Sequence, residues 1–360
     1  MMPRNPTDEP SFGNRATQWV KRQLKTFSYH AGLHPALRNL VANDAVTLLY
    51  HKVQRRPSGL WGEPALSVQD FSEHLSFLTR HFEVVPLSRV VKARKGETTL
   101  PRRALALTFD DGYQHNLLLA APLLKRYHVP ATFFVSTGLI GTSRWMWAYE
   151  LEEQFLRFSR EELARAFGEA PFSSLCRQPG PTIDVFERCV ELMKALPHPK
   201  LLRLLETLRK ALPVEVDDEN RFLSWDDVRA LSADGFELGA HSVHHPILTR
   251  VALDEAEREL KQSQQDLEQQ LGVRPSFFAY PNGNTSAEIC ALAQKYYEAS
   301  FVAHPQIGRV SAWPLQELPR LSAPPSVAEL SFELARQPLA PDRALFSASP
   351  PIRPPLERAP

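Results

Sequence analysis

The sequence predicts an α/β protein built on a parallel β-sheet or barrel, and three observations lead to that prediction. Short apolar or β-branched runs alternate with helix-like segments from Val46 onward. Polar side chains gather where these runs end, and the carboxyl ends of parallel strands are where such barrels carry their chemistry. The length of 360 residues suits one α/β barrel, although it can also hold two domains.

Eight runs are predicted to be strands because they are short, apolar and followed by polar or turn-forming residues. They are AVTLLYH (45–51), FEVVPL (82–87), ALALTFDD (104–111), ATFFVST (131–137), FELGAHS (236–242), SFFAYP (276–281), ASFVAH (299–304) and LPRL (318–321). Helices are expected between them, as in Val68–Arg80 and Leu117–Tyr127. The clearest helix is Leu253–Leu271, whose apolar residues keep a helical spacing and which Gly272 follows as a candidate C-terminal cap.

Composition divides the chain into three parts. Residues 1–44 form an N-terminal lead, expected to be disordered at its start, followed by a basic helical segment. Residues 45–336 form the barrel, and residues 143–220 within them have helical patterns without a good strand, which predicts a helical insertion. Residues 337–360 are rich in proline and short of apolar periodicity, which predicts a disordered tail.

Charge and cysteine usage exclude several kinds of partner. The formal net charge is +1, so no bulk field attracts nucleic acid. Three widely spaced cysteines argue against a thiolate zinc site or a disulfide framework.

The opening MMPRNPTDEPSFGN lacks an apolar segment behind a basic start, and no apolar run approaches the ~20 residues of a spanning helix, so we expect a cytoplasmic protein.

The basic segment at residues 16–40 has two interpretations. Its mixture of apolar residues with lysine and arginine fits an amphipathic helix in peripheral contact with a membrane surface. The favoured interpretation is a helix that packs on the barrel with its basic face in water.

The first candidate site is TFDDGY, residues 108–113. Adjacent carboxylates repel one another, and Asp-Asp-Gly is otherwise a common solvated turn. Here Asp110 and Asp111 end a convincing buried strand, which favours a functional site. Consecutive side chains on extended backbone point in different directions, so one carboxylate can bind a metal while its neighbour faces a substrate.

The second candidate site is HSVHH, residues 241–245, which also ends a strand. His241 and His245 are spaced so that both imidazoles can reach one cation, although a His241 and His244 pair is also open. Two imidazoles and one carboxylate leave positions for water and substrate, which is the pattern of a catalytic zinc site. A histidine cluster on a solvent loop is the alternative.

Two further strand ends complete the set. FAYPNG, residues 278–283, predicts a turn that can aim backbone N–H groups at a developing oxyanion, and we take Asn282 and Tyr280 as its candidate oxyanion or substrate contacts. His51 closes the first strand and would face the same rim. Taken alone, a histidine in that position is more often structural.

In order and context, TFDDGY, HSVHH and FAYPNG resemble the polysaccharide deacetylase family, also called the NodB-homology family or carbohydrate esterase family 4. The resemblance covers about Val46 to Leu321. It implies a distorted (β/α)7 barrel with a divalent metal, usually Zn²⁺. The family's LxxH motif normally lies near the C-terminus, whereas here it fits Leu48–His51, which resembles the circularly permuted branch that acts on poly-N-acetylglucosamine and exopolysaccharides.

The resemblance implies a role for each candidate residue. Asp110 would be the general base, Asp111, His241 and His245 the metal ligands, and His51 the general acid. The family's third motif usually carries an arginine where this chain has Ala279 or its neighbour, and Arg320 in LPRL is the candidate replacement that would orient the base.

The expected reaction is removal of N-acetyl groups from an N-acetylated glycan or polysaccharide. An O-acetyl esterase of the xylan type and a noncatalytic glycan-binding protein on the same barrel are the alternatives. Trp145 and Trp147 in the predicted insertion are candidates for a substrate wall, because aromatic faces suit stacking on sugar rings. Anchoring of the insertion to the barrel is the competing interpretation of these two residues.

Overall fold

Seven parallel strands close into a barrel, as the sequence predicts. The computed structural model describes residues 44–55, 66–215, 221–304, 310 and 313–337. The barrel strands, in chain order, are β1 (Ala45–Tyr50), β5 (Ala104–Phe109), β6 (Thr132–Val135), β7 (Glu237–Ala240), β8 (Phe277–Ala279), β9 (Ala299–His304) and β10 (Leu318–Ser322). Pairing of β1 with both β10 and β5 closes the ring.

Three short strands accompany the ring. Strand β4 (Glu83–Val84) pairs with the start of β5, while the end of β5 pairs with β6, so these two strands share one edge of β5. Strands β2 (Val53–Gln54) and β3 (Leu66–Ser67) form a separate two-stranded sheet. All eight predicted strands are present, and β2 and β3 were not predicted.

The barrel helices lie between the strands. They are α1 (Val68–His81), α2 (Leu87–Arg94), α3 (Ala121–Tyr127), α9 (Trp225–Ala233), α10 (Leu253–Leu271), α11 (Ala287–Gln294) and α12 (Val327–Ala335). Helix α10 has the predicted bounds, and Gly272 ends it in a left-handed conformation with φ of 69°. The predicted helix at Leu117–Tyr127 is α3 preceded by a π-helix at Asn116–Ala120, and π-helical turns often mark functional sites.

Between β6 and β7, the predicted insertion contains five helices and no strand among its described residues. They are α4 (Trp147–Arg157), α5 (Arg160–Phe167), α6 (Phe172–Arg177), α7 (Thr182–Lys194) and α8 (His198–Ala211). These helices bury their own apolar cluster, which includes Phe155, Phe186 and Leu205 and is separate from the barrel clusters.

Alternation along the strands decides which side chains face the barrel interior. In β5, Leu105, Leu107 and Phe109 pack among the outer helices, while Ala104 and Ala106 face inward. The interior is narrow, as β7 illustrates: a Cβ on Gly239 would lie 2.4 Å from a ring carbon of Phe134. Side chains that continue the inward parity past the strand ends therefore meet at the barrel mouth.

Several sequence predictions lie outside the described residues. The disordered lead, the basic segment at 16–40 and all of the tail beyond Gln337 belong to this group. In the part of the chain that the structure describes, no helix combines the length and the apolar character needed to cross a bilayer. The cytoplasmic location stays a prediction.

We expect Phe186→Ala to lower the free energy of unfolding by about 3–5 kcal/mol, because it leaves a cavity in the separate core of the insertion. Phe186 is fully buried and stacks edge-on against Phe155 at 5.5 Å. The matched control is Leu192→Ala on the same helix, where the side chain is 37% exposed and the loss should stay below about 1 kcal/mol. Urea titration measures both, and equal losses would show that the cluster is not a packed core.

Candidate metal centre at the barrel mouth

Four side chains from two strand ends meet at the carboxyl end of the barrel. Asp110 and Asp111 follow β5, and His241 and His245 follow β7. Nε2 of His241 and Nε2 of His245 each lie 3.5 Å from Oδ1 of Asp111. Nε2 of His241 also lies 3.8 Å from Oδ2 of Asp110, so the structure brings together the four residues that the two motifs predict.

Asp111, His241 and His245 have a geometry that fits one cation. Their candidate ligand atoms all lie within 4.8 Å of one another. Nδ1 of His241 is 2.8 Å from the carbonyl oxygen of Ala279, and a hydrogen bond there orients the ring so that Nε2 faces the carboxylates. Two imidazoles and one carboxylate are the donor set of a catalytic zinc site.

Burial and charge adjust the protonation of this group. Burial raises the pKa of Asp111, but the His241 hydrogen bond and the nearby positive charges outweigh it, so the pKa lies well below the ordinary value. Burial, followed by the positive charge of His241, lowers the pKa of His245 to about 4. At neutral pH, Asp111 is therefore ionised and His245 is neutral, which are the forms that bind a metal.

Asp110 is clamped by Arg320. Nη1 and Nη2 of Arg320 donate to the two carboxylate oxygens of Asp110 at 2.6 and 2.7 Å, and the two side chains are 0% and 3% exposed. Arg320 also donates to Oγ1 of Thr108 at 3.3 Å and lies over the ring of Phe134. Burial raises the pKa of Asp110, but the positive charges of Arg320 and then of His241 lower it by a larger amount. The net pKa is below the ordinary value, so the carboxylate stays ionised.

The alternation of side chains along the strands explains why Asp110 and Arg320 meet. Asp110 continues the inward series of Ala104 and Ala106, and Arg320 continues that of Leu318 in β10. The sequence indicated Arg320 only as a candidate replacement for the missing motif arginine, and the structure places its guanidinium in contact with Asp110.

The loop that carries the histidines is held from two sides. Glu259 in α10 is 7% exposed and accepts hydrogen bonds from the backbone N–H of Val243 at 2.7 Å and of His244 at 2.9 Å. Oγ of Ser136 donates to the carbonyl of His241 at 3.0 Å, and the N–H of Gly138 donates to that of Val243 at 2.9 Å. A Cβ on Gly138 would lie 2.7 Å from Val243, so this approach requires glycine.

His244 does not join the cluster. Its Nδ1 lies 2.8 Å from Oε1 of Glu259, and its side chain is 58% exposed. The open pairing of His241 with His244 is therefore resolved in favour of His241 with His245 as neighbours. Sequence reasoning missed Glu259, and its signal is an acidic residue on the buried face of α10 beside Leu260.

Backbone strain gathers at the same rim. Six non-glycine residues in the described part of the chain have a positive φ, and four of them are Asp111, Ser242, His245 and Asn282, at 76°, 61°, 58° and 58°. Such conformations persist where the surrounding structure enforces them, and they cluster at functional sites.

The remaining predicted residues lie in different places. His51 follows β1 with the inward parity of Ala45, is half-buried, and is near enough for its positive charge to lower the pKa of both aspartates. Its backbone carbonyl accepts a hydrogen bond from Asn116 at 3.0 Å, a contact that sequence reasoning also missed. Tyr280 has the outward parity of Phe278, and its hydroxyl donates to the carbonyl of Gln316 at 3.0 Å, so its side chain is not brought to the cluster.

A cavity of about 380 Å³ adjoins the centre, and His245 and Asn282 form part of its lining. Trp145 and Trp147 line it from the insertion. Trp145 is 5% exposed, and its Nε1 has no hydrogen-bond partner among the described residues.

Comparisons with known proteins concern the family and the fold of the chain. The model of the polysaccharide deacetylase family matches residues 97–298, more than half of the chain. The match spans both aspartates, His241, His245 and Asn282, whereas His51 and Arg320 lie outside it.

The poly-beta-1,6-N-acetyl-D-glucosamine N-deacetylase of Staphylococcus epidermidis is 32% identical over 114 residues, which are 28% of this chain and 39% of that protein. The matched stretch thus spans about two fifths of the curated relative's length. Among solved structures, the Streptococcus pyogenes deacetylase PplD in complex with acetate has a TM-score of 0.54 at 18% identity, covering 82% of this chain and 98% of that one. IcaB from Ammonifex degensii has the same TM-score and identity, with coverages of 83% and 98%. These two likenesses concern the fold.

We expect Arg320→Met to lower the free energy of unfolding by about 3–5 kcal/mol at pH 7, because Asp110 is then buried without its partner. In the wild type, the lowered folded-state pKa of Asp110 keeps its contribution to stability intact down to the unfolded pKa of about 3.9. In Arg320→Met, burial without the guanidinium raises the folded-state pKa of Asp110 above that value, so protonation relieves the penalty as pH falls. The difference between the wild type and Arg320→Met should therefore shrink as pH falls from 7 towards 4.

The control is the double variant Asp110→Asn with Arg320→Met, which removes the unpaired charge and should recover part of the loss. Urea titrations of the metal-free wild type, the single variants Arg320→Met and Asp110→Asn, and the double variant complete the cycle. A double variant as unstable at pH 7 as the sum of the two single variants would show that the ion pair contributes no coupling.

Proposed function

The chain belongs to the polysaccharide deacetylase family, and from that premise we propose that it is a metal-dependent hydrolase that removes N-acetyl groups from the amino sugars of a polysaccharide or glycan precursor, releasing acetate. The observation that carries the proposal is the grouping of Asp111, His241 and His245 beside the clamped carboxylate of Asp110. The donor set supports a divalent metal, and we propose Zn²⁺.

The residues of this chain have distinct parts in the proposed reaction. When bound at Asp111, His241 and His245, a divalent ion supplies Lewis-acid polarisation of water and of the acetamide carbonyl. Asp110 accepts the proton of the attacking water, and its two hydrogen bonds to Arg320 hold its oxygens in place for that transfer. Arg320 touches Asp110 and is thus a positioning residue.

The later steps need a donor to the oxyanion and a proton for the amine. The backbone N–H of Asn282 is our candidate oxyanion donor, because its left-handed turn lies on the wall of the adjoining cavity. His51 donates a proton to the amine as the C–N bond breaks, since an unprotonated amine is a poor leaving group. Acetate and a free amino sugar are the products. Trp145 and Trp147 contribute to the substrate wall.

We expect metal content and acetate release to depend on His241 and hardly on His244. His241→Ala removes a ligand atom, so the bound zinc per chain and the acetate released from N-acetylglucosamine oligomers should both fall sharply. His244→Ala is the matched control, because its imidazole is paired with Glu259 instead.

Elemental analysis and an acetate assay, with and without chelator, make the measurement. Equal metal content in both variants contradicts the ligand assignment. Acetate release that a chelator does not affect contradicts metal dependence, and comparison with an O-acetylated xylan separates amide from ester hydrolysis.

We expect His51→Ala to retain its fold and metal but to lose amide hydrolysis, by about 10²–10⁴-fold in kcat. An activated aryl acetate, whose leaving group needs no proton, should lose much less. The two substrates are compared on the same metal-loaded preparation, with circular dichroism as the folding control. Equal losses on both substrates would assign His51 a structural part.

A further inference from the structure

Part of the lining of the cavity beside the metal centre is aliphatic, which is unexpected for a site that binds only sugar. One wall comes from the C-terminal part of the insertion, including Leu201, Leu202 and Leu205 of α8. The loop after β7 contributes further aliphatic residues to the lining, including Ile247 and Val251. Sugar hydroxyls need hydrogen-bond partners when they leave water, and aliphatic side chains supply none. These walls suit an aliphatic chain.

Leu202 supports the same conclusion. It lines the cavity and is nevertheless 51% exposed, so its apolar surface remains available to a ligand. Covering such surface with another apolar group is favourable by about 25 cal/mol per Å².

The charged residues around the cavity divide into paired and unpaired groups. Arg209 makes three hydrogen bonds to the carboxylate of Glu150, at 2.7 to 2.9 Å. Glu259 is occupied by His244 and the loop backbone, and Nζ of Lys194 lies 3.1 Å from Oε1 of Glu191. Oε1 of Glu255 lies 3.9 Å from Nε2 of His198. Because these charged side chains already have partners within the protein, they are not readily available to bind a charged ligand.

Arg144 and Arg250 differ from them. Both line the cavity, and neither has a carboxylate within ion-pair distance among the residues that the structure describes. Nη1 of Arg250 is buried with no hydrogen-bond acceptor in that same set. A guanidinium offers five donors in a planar fork that matches phosphate geometry, so two such groups favour an anionic ligand.

We propose that this cavity binds the lipid phosphate portion of the substrate, that is, an aliphatic chain joined through a phosphate to the N-acetylated amino sugar. The chain lies between the leucines of α8 and the loop after β7, and the phosphate lies near Arg144 and Arg250. Because His245 and Asn282 line the same cavity, the acetamido group to be hydrolysed belongs to a sugar close to the phosphate. This inference rests on the proposed deacetylase function and specifies its substrate class.

The kinetic test uses the full chain loaded with zinc and three substrates: N-acetylglucosamine 1-phosphate, its decyl phosphodiester, and a soluble N-acetylglucosamine tetramer. We expect the decyl phosphodiester to have a KM lower than that of N-acetylglucosamine 1-phosphate by about tenfold or more, because the chain buries apolar surface. Leu202→Glu should reduce the preference in kcat/KM for the decyl substrate over N-acetylglucosamine 1-phosphate by about tenfold, because it places a charge against the aliphatic chain. Arg250→Gln should reduce the preference for the decyl substrate over the tetramer by about tenfold, because only the tetramer lacks the phosphate.

Two matched controls lie away from the cavity. Leu156→Glu changes a leucine of the insertion that is 50% exposed, close to the 51% of Leu202, and it should leave the preference intact. Arg126→Gln changes an exposed arginine of α3 and should do the same. Loss of preference in these controls to the same extent would overturn the assignment of the cavity.

A binding test separates this inference from the reaction itself. Metal-free wild-type protein, in which Arg320 stays paired with Asp110, is titrated with dodecyl phosphate, dodecanoate and inorganic phosphate, with tryptophan fluorescence and calorimetry as readouts. The inference predicts that dodecyl phosphate binds at least about tenfold more tightly than either of the others. Equal binding of dodecanoate overturns the phosphate assignment and indicates a pocket for acyl chains.

The remaining outcomes are distinguishable. Acetate release that is equal from the decyl substrate and the tetramer, without binding of dodecyl phosphate, overturns this inference and leaves the deacetylase function standing. Tight binding of dodecyl phosphate, without acetate release from any N-acetylated substrate, supports the cavity assignment and contradicts the proposed reaction.

Discussion

The buried ion pair between Arg320 and Asp110 is the interaction on which the arrangement at the barrel mouth depends. Both charges are almost completely excluded from water, so each is tolerated only because the other lies within bidentate hydrogen-bond distance. They come from β10 and the end of β5, which are both neighbours of β1 in the closed ring. Closure of the barrel through β1 is therefore a condition for the pair, and the pair in turn keeps Asp110 ionised and fixed beside Asp111.

The loop that carries the histidines, residues 241–245, also depends on a buried charged side chain, which is Glu259. Its backbone turns through left-handed conformations at Ser242 and His245, which cost free energy and need support from outside the loop. The carboxylate of Glu259 supplies that support by accepting two N–H groups and the imidazole of His244. His244 thus stabilises the loop, and the other two histidines of the motif, His241 and His245, face Asp111.

Sequence reasoning predicted the elements of the fold well because strand and helix periodicity are local properties. The eight longer runs became strands, and α10 took its predicted bounds because its apolar stripe and Gly272 act within a few turns. The helices α2, α9, α11 and α12 were not predicted, and with eight or nine residues each they offer too few turns for a clear stripe. Strands β2 and β3 are two residues long, which is below what alternation can reveal.

The site was predictable where motifs end strands and less so where contacts join distant segments. Asp110, Asp111, His241 and His245 could be grouped because parallel strands end at one rim. The contact of Arg320 with Asp110 spans 210 positions, and only the registers of β10, β1 and β5 determine it. Tyr280 shows the opposite case: strict alternation from Phe278 would have assigned it to the outer layer, which is where it packs.

The barrel and the insertion have separate apolar cores, and they also contribute differently to the site: the barrel carries the candidate reacting groups and the insertion lines the cavity. The ligand atoms and the clamped carboxylate all come from barrel strand ends, and the insertion supplies none of them. The insertion instead lines the cavity with side chains such as Trp147 and Leu202. Because its helices are stabilised by their own apolar cluster, their outward residues can change without disturbing the packing that positions Asp110 and His241. Selection of the substrate can therefore vary in this architecture while the reacting groups stay in place.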